Sequence, residues 1–270
     1  MKKIFLFAIL AIMAISSAQA AGKKSLCVGR FSGASNVGTS NIVALRNSIM
    51  TGLSGTGRLD ISDVTALGAG DGQTAEIKAA NDASCDYLLN GNINTMTVKK
   101  GEKYYICEIN YTLKVYDIDE EKVFSTETLT ATWHSGDTKD EAIAKAIDQA
   151  ASDMKKYVDN TFKTQATIKS LDEIDKKKGA KTAYVSLGQD EGISAGQMFD
   201  IYKEIDVAGS KAKKLIGAAK AKEVVGADLT LVTITKGGVE IQQAFEAGQT
   251  IIVETRAKRD IFDGMNKLLK

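Results

Sequence analysis

The chain has 270 residues, 44% apolar and 26% charged, enough to bury one large core or two ordinary ones, and domains of roughly 100–150 residues make two the expectation. Its 35 basic and 34 acidic residues leave a formal net charge of +1. Residues 21–164 carry 16 basic and 19 acidic side chains and residues 165–270 carry 17 and 15, so neither part has the basic excess of a nucleic-acid binder.

Lys2 and Lys3 precede an apolar run over residues 4–15, and Ala18-Gln19-Ala20 then places small residues where a signal peptidase cuts. Residues 1–20 are expected to be an export signal, which sets the mature chain apart from cytosolic ATP and nicotinamide. No later segment is long and apolar enough to span a bilayer. Cys27 lies seven residues past the expected cut rather than at it, so no lipid anchor is expected. The expected location is the periplasm, without transmembrane insertion.

Residues 25–31 read as a short buried strand, followed by a glycine-containing loop and a helix over 40–53 with Ile42, Leu45, Ile49 and Leu53 at helical spacing. A strand over 59–64, a helix over 73–83 and a strand over 87–97 come next. Tyr105, Cys107, Ile109, Tyr111, Leu113 and Val115 then alternate with a mostly polar set. Leu129, Ala131 and Trp133 are likewise set against Thr128, Thr130 and Thr132, and the two strands join across residues 117–120 as a hairpin. Thr138-x-x-Glu141 has the form of a capping box, and Ile143, Ile147, Ala150, Met154 and Val158 continue its helix to about residue 162. These elements predict helices packed on a mixed sheet over 21–163. Polar residues 164–180 are expected to be a linker. Five short strands within 181–256, punctuated by glycines, predict a small barrel, and residues 257–270 a terminal amphipathic helix.

Chemistry-bearing patterns are sparse. The loop over residues 33–40 resembles a phosphate-binding loop without its lysine and reads better as a turn whose Thr39 or Ser40 caps the helix. Gly68 to Gly72 has the wrong spacing for a dinucleotide site. His134, the only histidine, has no accompanying G-x-S-x-G elbow. Asp117, Asp119, Glu120 and Glu121 lack the spacing of a calcium loop and read as a solvated hairpin tip. No catalytic, cofactor or metal residue is assigned. Cys27, Cys85 and Cys107 read as buried thiols, with one disulfide among them left open and its two partners undetermined. Lys211, Lys213, Lys214, Lys220 and Lys222 cluster on one hairpin, where they either protect an edge or meet anionic lipid or glycan; edge protection is the favoured reading. Ile261, Phe262, Met265, Leu268 and Leu269 form one stripe of the last helix, which docks on its own chain or grips a partner.

On the order of these elements, and on Leu26-Cys27-Val28-Gly29-Arg30-Phe31, Asp86-Tyr87-Leu88-Leu89-Asn90-Gly91 and Tyr111-Thr112-Leu113-Lys114-Val115-Tyr116-Asp117, the first domain resembles the CsgG family. That family covers curli production and transport and sits in the TolB amino-terminal-like superfamily with LpoB. Val185-Ser186-Leu187-Gly188 and the stretch from Gly192 to Tyr202 make the second domain similar to the carboxy-terminal barrel of the flagellar ring protein FlgT. The resemblance implies an α/β domain, an SH3-like barrel, no cofactor, and a scaffold or adaptor working through contacts with envelope or outer-membrane proteins, with homo-oligomers included. The chain departs from CsgG proper in lacking a lipid-accepting cysteine and long amphipathic insertions, which argues against a pore. The alternative is a binding module for a small glycan or peptidoglycan fragment seated in the loop over 33–39; an enzyme is least favoured.

Overall fold

The computed structural model describes residues 23–68 and 70–257; the expected export signal and the helix expected beyond Ala257 lie outside them. In the first unit, β1 (Lys24–Gly33), α1 (Thr39–Gly55), β2 (Leu59–Asp63), α2 (Gln73–Asp82), β3 (Tyr87–Lys100), β4 (Tyr105–Asp117), β5 (Lys122–Gly136) and α3 (Lys139–Thr161) follow in chain order. The strands form one sheet in the order β2-β1-β3-β4-β5, with β1 parallel to β2 and β3 and the remainder antiparallel. The middle of β1, Leu26 to Gly29, is buried on both faces, and its residues there are apolar in succession rather than alternating. Leu26 and Val28 join the core beneath α1 and α3, while Cys27 turns to a smaller core beneath α2 with Ala80, Leu88 and Tyr116.

Local chemistry sets the helix ends. Thr138 Oγ1 accepts the amide of Glu141, and the Glu141 carboxylate accepts the amide of Asp137, so the reciprocal cap read from the sequence forms. At α1 the expected cap is corrected: Thr39 and Ser40 lie inside the helix, and Gly38 is the N-cap with no side-chain cap bond. Its carbonyl already accepts the amides of Asn41 and Ile42, so the turn begins before either hydroxyl. α1 crosses α3 at backbone contact. A Cβ on Gly52 would lie 2.4 Å from the carbonyl oxygen of Ala151, which fixes that position as glycine.

The second unit contains β6 (Gln165–Leu171), β7 (Ile174–Asp175), β8 (Gly179–Ala180), β9 (Thr182–Val185), β10 (Met198–Val207), β11 (Ser210–Val224), β12 (Thr230–Lys236), α4 (Gly238–Glu246) and β13 (Ile251–Arg256). Six strands close into a barrel, β10-β11-β12-β9-β6-β13. Phe199, Ile201, Val232 and Val253 fill it, and Ile241 and Ala244 of α4 join the same core. The whole is a mixed α+β structure with four helices among the described residues.

Two expectations need correction here. The linker expected over 164–180 carries β6, the sixth barrel strand, and the β7–β8 hairpin. Ala166 and Ile168 of β6 pack on the barrel core, but the polar residues alternating with them disguised the strand. α4 was not anticipated. It is short and opens on Gly237 at φ +76°, and glycine there reads in a sequence as a turn.

Candidate functional site

The two units are held by one buried cation. Arg58, in the turn after α1, is 4% exposed and meets Asp159 of α3, 8% exposed, at 2.7 Å. Its remaining terminal nitrogen donates to the carbonyl of Phe162 (2.8 Å), Thr164 Oγ1 (2.8 Å) and Thr255 Oγ1 of β13 (3.1 Å). Burial disfavours the charge of each partner: it lowers the pKa of Arg58 and raises that of Asp159, and their mutual attraction opposes both shifts. Around this centre Lys163 pairs with Glu254 at 3.0 Å and Gln165 donates to the same carboxylate. A Cβ on Gly192 of the barrel would lie 2.2 Å from the carbonyl oxygen of Gly57. Backbone therefore rests on backbone beside the buried ion pair, where removing one member would leave the other as an uncompensated buried charge.

The first sheet is clamped in a comparable way. β1 bulges between Val28 and Phe31. From the α1 side Arg46 donates to the carbonyls of Val28 (2.9 Å) and Gly29 (2.7 Å) and forks onto Asp63. Chiefly that hydrogen bond holds the Asp63 carboxyl well below the usual carboxylate range, against the upward pull of burial. From the α2 side Glu76, 2% exposed, accepts the amide of Arg30 (3.0 Å) and the side chain of Asn90 (2.8 Å). A disulfide between Cys27 and Cys85 ties the strand to the end of the α2 connection. Cys107 is a free buried thiol, and burial pushes it up to about 11.

The opposite side of this rigid body is open. A chain of neutral hydrogen bonds crosses four strands. Ser32 donates to Asn92, Asn92 to Asn94, Asn94 to Asn110 and Thr112, and Asn110 to Thr130, all within 2.8–3.0 Å. The hydroxyls of Thr112 and Thr128 lie 3.0 Å apart. The bulge of β3 between Ile93 and Thr95 brings Asn94 onto this face. The chain ends on β5, the last strand of the sheet; in its middle the exposed side chains are Thr126, Thr128 and Thr130, and toward its ends Lys122, Val123, Phe124, His134 and Ser135 are exposed too. β5 is 15 residues long, and no strand lies beyond it among the described residues. Beneath it the hydroxyl of Tyr111 is buried without a partner, and burial pushes the Tyr157 phenol up to about 12 against the opposing pull of the neighbouring Ser125 and Thr161 hydroxyls.

The sequence candidates fare differently. In the loop over residues 33–40 Val37 is buried in the first core and a Cβ on Gly33 would meet Ile42 at 3.0 Å, while Ser35, Asn36, Gly38, Thr39 and Ser40 are exposed. Asp117, Asp119, Glu120 and Glu121 form the β4–β5 turn, where Asp117 accepts the amide of Glu120. His134 is exposed near the end of β5. Lys211 pairs with Glu204 and Lys213 with Glu254, so part of the expected lysine cluster is neutralised by acids of its own barrel. Ile261, Phe262, Met265, Leu268 and Leu269 lie outside the described residues. No group of three or more metal-ligating side chains converges, and no helix is long and apolar enough to cross a membrane, among the described residues. Sequence reading missed Arg58, Asp159 and Thr255 as a set, since residues 197 positions apart share no periodic signal. The threonine alternation of β5 was legible in the sequence, and the strand order places it at the edge of the sheet.

No family model and no curated protein matches the chain. Several solved structures overlap it in part. A PelC variant dodecamer from Paraburkholderia phytofirmans is 16% identical, covering 48% of this chain and 89% of that one, with a TM-score of 0.35. Lipoprotein GNA1162 from Neisseria meningitidis is 9% identical, covering 48% and 97%, with a TM-score of 0.35. The LpoB C-terminal domain from Escherichia coli is 10% identical, covering 43% and 87%, with a TM-score of 0.32. At these scores the likenesses decide neither the activity nor the partners of this chain.

Proposed function

We propose that the chain is an exported, non-enzymatic accessory protein of the cell envelope, a scaffold or adaptor that works by receiving an extended strand of a partner on the edge of β5. The observation that carries this reading is the middle of that edge, from Ser125 to Trp133, which pairs with β4 without a break in register. Natural sheets blunt long edges with charge, proline, bulges or a covering element. β5 has register shifts near both ends and an exposed Lys122, but between them it offers the uncharged Thr126, Thr128 and Thr130, and its acidic Glu127 is half-buried rather than on the exposed face. Strand addition draws affinity from main-chain hydrogen bonds and specificity from alternate side chains, and the neutral amide and hydroxyl face keeps β5 in one register for it. A CsgG-like sheet and an SH3-like barrel belong to the same proposal, supported by the sheet order and the closed six-strand barrel.

The test is capture from envelope extract together with light scattering, comparing the mature chain with Thr128→Lys/Thr130→Lys. The proposal expects a partner, or a second copy, bound by the former and lost with the latter while the fold persists. Equal capture by both chains would remove β5 from the account.

A further inference from the structure

The barrel carries a second surface that the β5 edge does not explain. Lys178, Lys181, Lys222 and Lys236 line one open groove of about 720 Å³. They come from β8 and its flank, β11 and β12, so closure of the barrel assembles them from segments distant in sequence. Only Lys181 is paired, with Glu173 at 3.2 Å, and both members are more than half exposed; Lys178, Lys222 and Lys236 make no ion pair among the described residues. The turn between β7 and β8 adds Lys176 and Lys177, which are exposed. Asp175 closes that turn by accepting the amides of Lys177 (2.8 Å) and Lys178 (2.9 Å), which holds the lysine run in a tight hairpin. Six lysines thus face three carboxylates, those of Glu173, Asp175 and Glu240. The lysines of this groove outnumber its carboxylates two to one, unlike Lys211 and Lys213, which each have an acidic partner.

Two exposed aliphatic side chains accompany it. Val239, 41% exposed, lines the groove, and Ile174, 51% exposed, sits opposite Ala180 across the β7–β8 hairpin. Lysine ammoniums flanked by exposed aliphatics are the two components of interfacial binding, charge toward anionic headgroups and apolar groups into the acyl boundary. A soluble polyanion would use the lysines and gain nothing from Ile174 and Val239. We propose that this groove and the β7–β8 hairpin dock the barrel on an anionic phospholipid surface. The inference is independent of the β5 edge, and either can fail alone.

The test is co-sedimentation of residues 21–270 with vesicles of neutral phosphatidylcholine, alone or with 30% phosphatidylglycerol. Binding is expected only to the anionic vesicles, weakening as salt rises because the screening length falls from roughly 10 Å at 0.1 M to 3 Å at 1 M. A lysine near an anionic surface contributes about 5-fold in partitioning. Lys178→Glu/Lys222→Glu/Lys236→Glu should therefore lose about 100-fold or more, with unchanged circular dichroism because these side chains are exposed. Ile174→Ser/Val239→Ser should weaken vesicle binding severalfold and leave binding of dextran sulfate unchanged. No binding to anionic vesicles would overturn the proposal. So would equal binding by the triple-lysine variant, which keeps residues 258–270 and would assign the membrane contact to them. Dextran sulfate bound in preference to vesicles, with the aliphatic variant silent in both, would make the groove a polyanion site instead.

Discussion

The junction between the two units and the outer face of the first sheet use polar groups in opposite ways. At the junction a few charges are buried and paired: Arg58 meets Asp159 and three further oxygens through its two terminal nitrogens with almost no exposure, while its Nε is buried without a partner. Across the sheet face many neutral amides and hydroxyls remain accessible, each bonded to its neighbour, up to the rim of β5. Buried charge carries a large penalty if one member is lost, whereas an exposed neutral hydrogen bond is replaceable by water. The first region fixes geometry and the second stays available for exchange with a partner.

The comparison breaks most visibly at Arg58. Arg58→Ala leaves Asp159 buried without its partner and should cost about 3–5 kcal/mol, read from denaturant unfolding. Thr255→Val removes one of Arg58's acceptors and also the acceptor of the Thr164 amide, and should cost about 1–3 kcal/mol; a cost above that of Arg58→Ala would mean that the ion pair is not the centre of the junction. Next in size is the Cys27–Cys85 bond. It closes a loop of 58 residues, so Cys27→Ala/Cys85→Ala should lose about 2–4 kcal/mol, measured against the oxidised chain without reductant.

The Arg46–Asp63 fork gives a smaller, pH-dependent effect. The folded pKa of Asp63 is depressed, so its contribution is complete above the unfolded value near about 4 and disappears as pH falls through the lower folded value. Asp63→Asn should cost about 1–2 kcal/mol at pH 7, discounted for partial exposure, and flatten the acid limb of the stability curve. An unchanged acid limb would show that the fork is not what acid breaks. Smallest are the changes on and beneath β5. Thr128→Lys/Thr130→Lys should alter stability by less than about 1 kcal/mol. Tyr111→Phe removes a buried, unpartnered hydroxyl and should be neutral or stabilising by up to about 1 kcal/mol. A large loss there would reveal a bonded phenol.

How far the sequence carried the reading depends on the range of the interactions. The β4 and β5 alternation and the Thr138 cap are local patterns, and both appear where their periods and spacing put them. β6 was hidden because three apolar positions among polar neighbours look like a linker until the barrel supplies the other wall. α4 was hidden by Gly237 and Gly238, although both are needed: a Cβ on Gly238 would lie 2.4 Å from the carbonyl oxygen of Lys178. The junction, the lysine groove and the choice of Cys27 with Cys85 depend on tertiary approach, which no spacing encodes. The threonines of β5 were visible, but their place at the end of the sheet emerges only from the strand order.

Hydrogen exchange along β5 tests the central claim most directly, comparing the mature chain alone with its partner-bound form. Addition of a strand predicts that alternate backbone amides from Thr126 to Thr132, open to solvent in the free chain, become slow to exchange in the complex. A bound partner that leaves these amides as fast as before, with new protection elsewhere, would contradict the account.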